Sequence, residues 1–202
     1  MSAGAMRGVR MTLWALVGVA VLGAAWMFAV RSQATAPPIA SYGVPFTATL
    51  AGAGGTREIK RADILGRPHA MFFGFTHCPD VCPTTLYETS QWLEALGSDA
   101  DELDVYFVTV DPARDTAEAR VDYLRPFDRR IKAITGSQAE IDKMIEGWNV
   151  VAKKVPLDDG GYNVDHTAST FLMRADGSLQ GTIAYQENAD TAVAKLKRLI
   201  EG

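Results

Sequence analysis

From residue 46 onward the apolar residues keep changing their period, and this limits the fold more than any other feature of the chain. His69–Phe75 and Leu103–Val110 are short, nearly continuous apolar runs, the signature of strands buried on both faces. Between them Pro83–Leu96 takes helical spacing, with Leu86, Trp92, Leu93 and Leu96 on one side. Further on, Thr116 precedes a helix to Leu124 as its N-cap. Ile131–Ile134 reads as a short strand. Ser137, with Glu140 three residues on, has the capping-box pattern for a helix to about Trp148. Val150–Val155 reads as another short strand.

Hairpins flank this alternation. Phe46–Leu50 and Thr56–Lys60 are separated by the turn Ala51–Gly55, and Ser169–Met173 and Leu179–Ala184 by Arg174-Ala175-Asp176-Gly177. Asn188–Ile200 is an amphipathic helix. The expected fold class is α/β: a thioredoxin-like mixed sheet flanked by helices, occupying residues 46–202.

The segment before it is different in kind. Met11–Val30 has 20 residues and no charge. As a helix it would span about 30 Å, the thickness of a bilayer core. Trp14 and Trp26 lie near its ends, Arg7 and Arg10 precede it, and Arg31 follows it. The alternative is a cleaved signal peptide at Ala34-Thr35-Ala36, against which stand Pro37 and the length of the apolar run. We therefore expect a cytoplasmic flank (1–10), an N-terminal transmembrane helix (11–30) and a tether (31–45). The soluble domain would lie on the periplasmic side of a bacterial plasma (inner) membrane. All 24 acidic residues, but only 17 of the 20 basic ones, fall after residue 37. An acidic domain without a basic run speaks against nucleic-acid binding.

With two cysteines and three histidines, redox or metal chemistry must use nearly all of them. Cys78 and Cys82 lie in Phe75-Thr76-His77-Cys78-Pro79-Asp80-Val81-Cys82-Pro83, between a buried strand and a helix. Ligands collect at the carboxyl ends of such strands, and the free N–H groups of a helix N-terminus favour thiolate. A structural disulfide across so short a loop would add little stability. A redox-active or metal-binding pair is the better reading. His77 neighbours Cys78 and should point away from it. His69 starts the strand that ends near Phe75, so it is expected as a surface histidine at the far end of the sheet. His166 follows Gly160 and Gly161, and the residues alone leave it open between a third ligand and an ordinary loop histidine.

Three segments together resemble the Sco/SenC family of copper-binding assembly factors for cytochrome c oxidase. They are Thr76–Pro83, Val110-Asp111-Pro112 with Arg114-Asp115-Thr116, and Val164-Asp165-His166-Thr167. The resemblance implies a metal site of Cys78, Cys82 and His166 holding one copper ion, Cu(I) or Cu(II). It also implies a metallochaperone rather than an enzyme. Its partners would be the CuA-bearing subunit of cytochrome c oxidase and an upstream copper donor or thiol reductant. Asp80 and Asp165 would face the metal or a partner, or stand as solvated loop carboxylates. Asp111, Arg114 and Asp115 are expected as a structural ion-pair cluster. The alternative is a thiol–disulfide oxidoreductase using Cys78 and Cys82 as a redox-active pair without obligatory metal. A peroxiredoxin-type reading of Val81-Cys82-Pro83-Thr84 fails because Pro79 stands where that family has threonine. Zinc also suits a Cys2His set, and a pure scaffold would leave the clustered donors unexplained.

Overall fold

The computed structural model describes residues 42–202 apart from 53 and 159, together with Trp14, Val17, Gly18 and Gly23. The chain divides into two compact units, Met1–Ala40 and Ser41–Gly202. In the first, the four described residues are helical and exposed. The expected span Met11–Val30 lies outside the described residues except for these four. Among the described residues no helix is long and apolar enough to cross a membrane.

The second unit is the expected mixed α/β, thioredoxin-like fold. Its strands are β1 (Thr47–Gly52), β2 (Gly55–Lys60), β3 (His69–Gly74), β4 (Asp104–Thr109), β5 (Ile131–Thr135), β6 (Ala152–Pro156), β7 (Tyr162–His166), β8 (Thr170–Met173) and β9 (Leu179–Ile183). The helices are α1 (Val81–Leu96), α2 (Ala117–Leu124), α3 (Gln138–Gly147) and α4 (Ala189–Glu201). Seven strands form one sheet in the order β2-β1-β5-β4-β3-β8-β9. β3, β4 and β5 are parallel and every other pairing is antiparallel. The central strand β3 is buried at all six positions, which explains its unbroken apolar run.

The helix starts follow their caps. Thr116 and Ser137 accept from the N–H groups of Ala119 and Glu140, and Asn188 from that of Thr191. The Ser137 box is only half formed. Glu140 does not reach back to the cap but accepts from the Thr47 N–H at 2.9 Å and pairs with Lys143. It thereby joins α3 to the start of β1. The first hairpin is tighter than expected, since the strands run on to Gly52 and Gly55.

Two expectations need correction. Residues 160–167 are not a free glycine-rich loop: Tyr162–His166 is a strand, paired antiparallel with β6 in a separate two-stranded sheet. Alternation accounts for it, because Val164 is buried while Asp165 is exposed. His69 is not a surface residue. It is 1% exposed, flanked in register by Asp104 and Met173, with its ring edge-on to Tyr106. Burial pushes its imidazole below the ordinary value of 6.5.

Candidate metal centre

β3 and β4 end side by side at Gly74 and Thr109, and the chain leaves β3 through Phe75 and Thr76 into the cysteine segment. Asp115, fully buried, holds that exit. It accepts from the Thr76 N–H at 3.2 Å, the Thr76 hydroxyl at 2.6 Å and the Thr109 hydroxyl at 2.9 Å. Its charge faces Arg120, which is also fully buried and donates to the carbonyls of Phe107 and Ile134.

α1 begins at Val81, two residues before the expected start, so Cys82 lies in its first turn. Asp80 precedes the helix but makes no side-chain cap. The free N–H of Cys82 instead meets Cys78 Sγ at 3.4 Å, so a sulfur takes the place of a capping oxygen. Both cysteines are unbonded. Cys82 is fully buried and Cys78 half-buried.

That asymmetry decides which sulfur is ionised. The hydrogen bond with Cys82, then that with His166 and the N–H groups of Cys82 and Asp80, hold the Cys78 thiol well below the ordinary thiol range. The same bond with Cys78, together with burial, pushes Cys82 up. Of the two, the half-buried Cys78 is the sulfur that favours the thiolate, and buried Cys82 the one that keeps its proton.

His166 ends β7, opposite Ala152. Its Nε2 lies 3.4 Å from Cys82 Sγ. Its Nδ1 lies 3.0 Å from the Thr167 carbonyl oxygen, which can only accept, so Nδ1 is the donor there and Nε2 is the nitrogen turned toward the sulfurs. The rings of Phe72 and Phe75 stand edge-on to the imidazole at 6.0 and 5.9 Å. One ligand atom from each of Cys78, Cys82 and His166 lies within 4.8 Å of the others. No other such group of three occurs among the described residues. Metal–sulfur bonds of about 2.3 Å and metal–nitrogen bonds of about 2.0–2.1 Å fit a shared ion at that spacing.

The other expected residues fall as follows. His77 is outside the cluster, exposed, with Nδ1 3.0 Å from the Thr76 hydroxyl. Asp80 and Asp165 are exposed and line a cavity of about 380 Å³ with Cys78 and His166. Asp111 and Arg114 form the expected ion pair, whereas Asp115 serves Thr76 and Thr109. Sequence reasoning missed Gly74. A Cβ there would lie 2.7 Å from both Cys82 Sγ and Phe107 Cε2, so only glycine lets the sulfur rest against the strand. A glycine inside an apolar strand was the available signal.

With that geometry in hand, comparison with known proteins is decisive at one level. The SCO1/SenC family model matches residues 38–201. The chain belongs to the SCO1/SenC family. It is 38% identical over 126 residues to the mitochondrial SCO2 homologue of Danio rerio, covering 61% of this chain and 45% of that one. To the human mitochondrial SCO1 homologue it is 37% identical over 118 residues, covering 57% and 39%. The matched region spans about half the length of these curated relatives. Among solved structures, Bradyrhizobium japonicum ScoI with copper bound superposes with a TM-score of 0.70 at 42% identity. That match covers 78% of this chain and 99% of that one. Copper-bound yeast Sco1 gives 0.70 at 29% identity, covering 80% and 89%.

Proposed function

We propose that this SCO1/SenC protein is a copper chaperone that carries one copper ion on Cys78, Cys82 and His166 and serves the assembly of the CuA centre of cytochrome c oxidase. The observation that carries the reading is the meeting of three donors, two of them 84 residues apart in sequence, within bonding range of one ion. Two sulfurs suit Cu(I), and an imidazole accommodates Cu(II) as well. The copper bound to ScoI and to yeast Sco1, proteins of the same fold at 42% and 29% identity, agrees with copper rather than zinc. Copper is the cargo here. The half-buried Cys78 at the mouth is the donor an incoming client ligand meets first, while buried Cys82 keeps its place in the core. Metal uptake displaces the proton that Cys82 keeps, so loading releases acid.

In this reading residues 11–30 anchor the chain in the plasma membrane, residues 31–45 are the tether, and residues 46–202 work on the periplasmic side beside the CuA-bearing subunit. The test is titration of the reduced full chain with Cu(I) and with Cu(II). One equivalent of each should bind, with a sulfur-to-Cu(II) charge-transfer band that disappears in Cys82→Ala and shifts in His166→Ala. Binding that is indifferent to both substitutions would remove the proposed site.

A second reading is favoured by one observation, the thiolate–thiol asymmetry of Cys78 and Cys82. An attacking thiolate with a protonated partner is what thiol–disulfide exchange needs. Reduction of a client disulfide by a His166→Ala variant at the unaltered rate would favour it.

A further inference from the structure

The strand that delivers His166 is not part of the main sheet. β6 and β7 pair only with each other. A lone two-stranded hairpin is marginal in water and holds its place only through what it packs on. Within β7, Tyr162, Val164 and His166 share one face, and Val164 on that face is buried. His166 lies four residues, or about 13 Å, along the strand from Tyr162. How Tyr162 is held therefore bears on where the imidazole sits.

Tyr162 is gripped on three sides. Its hydroxyl donates to the Asp111 carboxylate at 2.9 and 3.1 Å. Its carbonyl accepts from Arg114 Nη1 at 3.0 Å. Its ring lies under the Arg114 guanidinium, 3.8 Å from carbon to ring centroid. Arg114 in turn is ion-paired to Asp111, whose side chain is fully buried. The same guanidinium stands 5.6 Å from the centroid of the Phe75 ring, and that ring stands edge-on to His166 at 5.9 Å between centroids. The contacts thus run unbroken from Arg114 through Phe75 to the imidazole, and from Asp111 through Tyr162 along β7 to the same ring.

We propose that Arg114, Asp111 and Tyr162 form a clamp that docks the β6–β7 hairpin on the domain and so positions His166 as the third donor. Loosening the clamp converts a two-sulfur, one-nitrogen site into a two-sulfur site. This deepens the proposed function and rests on it. None of the three touches the metal; they are positioning residues. Cu(II), which depends on the imidazole, should feel the loss more than Cu(I), which two thiolates hold.

The test uses the full chain as Tyr162→Phe and Tyr162→Ala. The phenylalanine keeps the ring under Arg114 and removes only the hydroxyl's bonds to Asp111. In the metal-free protein, amide exchange in β6 and β7 should accelerate by about tenfold or more, the scale of one hydrogen bond to a charged group, with β3 and β4 unchanged. With Cu(II) added, the nitrogen hyperfine coupling from histidine should weaken in Tyr162→Phe and vanish in Tyr162→Ala. Cu(II) affinity should fall about tenfold or more, and Cu(I) affinity by less than about threefold. Unchanged hairpin exchange overturns the proposal. So does faster exchange with the nitrogen signal and Cu(II) affinity intact, and so does an acceleration that spreads equally through the core strands. Absence of the nitrogen signal in the unaltered chain would count against the copper reading instead. Hydrogen exchange in the metal-free protein would then decide alone whether the clamp docks the hairpin.

Discussion

Replacing Gly74 by alanine should displace the buried sulfur of the site. The new Cβ would lie 2.7 Å from Cys82 Sγ, 2.7 Å from Phe107 Cε2 and 3.1 Å from Phe72 Cε1, where ordinary contacts begin at 3.4 Å. The sulfur, the ring or the strand must therefore give way by about 0.7 Å, the gap between 2.7 and 3.4 Å. All three belong to the packed centre of the molecule, and none is the free end of a flexible chain. Overpacking of this kind costs about 1–3 kcal/mol. Loss of glycine's backbone freedom in the unfolded chain returns about 0.5–1 kcal/mol. The net is a destabilisation of up to about 2.5 kcal/mol, or up to roughly 10 °C in Tm for a domain of this size. Cys82 Sγ is also one of the atoms 3.4 Å apart at the metal centre, so copper affinity should drop with stability. The control is Gly181→Ala in β9, where a Cβ meets nothing within 4 Å. That variant should be neutral or more stable by up to about 1 kcal/mol. Thermal melts and copper titrations of both full-length variants make the comparison. Equal Tm and equal copper affinity in the two would refute the argument that this glycine makes room for the sulfur.

Iodoacetamide should modify Cys78 and spare Cys82 in the reduced, metal-free chain, because only Cys78 is both accessible and ionised. Its rate should hold nearly flat from pH 8 to pH 5.5, where an ordinary thiol loses roughly two-hundred-fold; a steep fall would contradict the assigned thiolate. His69 is buried with its pKa lowered, so below pH 6.5 the unfolded chain takes up a proton that the native state refuses. Stability from this residue is thus full above pH 6.5 and is lost as pH falls from there toward the lowered native value. His69→Gln should flatten the dependence of the urea midpoint between pH 7.5 and pH 5.5, and an unchanged slope would count against burial as the cause. Asp115→Ala should cost about 1–3 kcal/mol in urea denaturation, because it leaves the Thr76 N–H and the hydroxyls of Thr76 and Thr109 without their buried acceptor; a loss below about 0.5 kcal/mol would show that the carboxylate does not hold the exit of β3.

The parts of the fold that were legible in the sequence are those where local pattern and final environment agree. β3 and β4 read as buried strands because both faces of the sheet are covered there. Thr116 and Ser137 read as caps because capping is a local event. The cysteine pair could be placed at a strand-to-helix junction for the same reason. β7 escaped because the two glycines before it and its own polar residues outweigh a single buried valine, and its partner strand β6 is mostly exposed. The alternation Tyr162, Val164, His166 against Asn163, Asp165 was nonetheless present. His69 escaped because its burial comes from neighbours in β4 and β8, about 35 and 104 residues away, which no local pattern reports. The contact of His166 with the cysteines is likewise long-range, so only the family resemblance could assign it.

The Asp111–Asp115 turn accounts for how donors so far apart in sequence come to one point. Its first carboxylate holds Tyr162 of the histidine hairpin and its last holds Thr76 at the root of the cysteine segment. The turn is closed on itself, with the N–H groups of Arg114 and Asp115 donating to the Asp111 carbonyl at 3.2 and 3.0 Å. It is also fixed from below, since the Asp111 N–H donates to the Thr109 hydroxyl at the end of β4. Both carboxylates are fully buried, which costs free energy unless each is paired, and each is paired to a different half of the site. The distance between sulfurs and imidazole is thus set through this turn, which ties both halves of the site to the end of β4. On the copper reading, the two halves differ in what they can do. Cys82 is locked into the core, whereas His166 rides on a hairpin outside the main sheet, so the imidazole is the donor that can withdraw first without disturbing the domain.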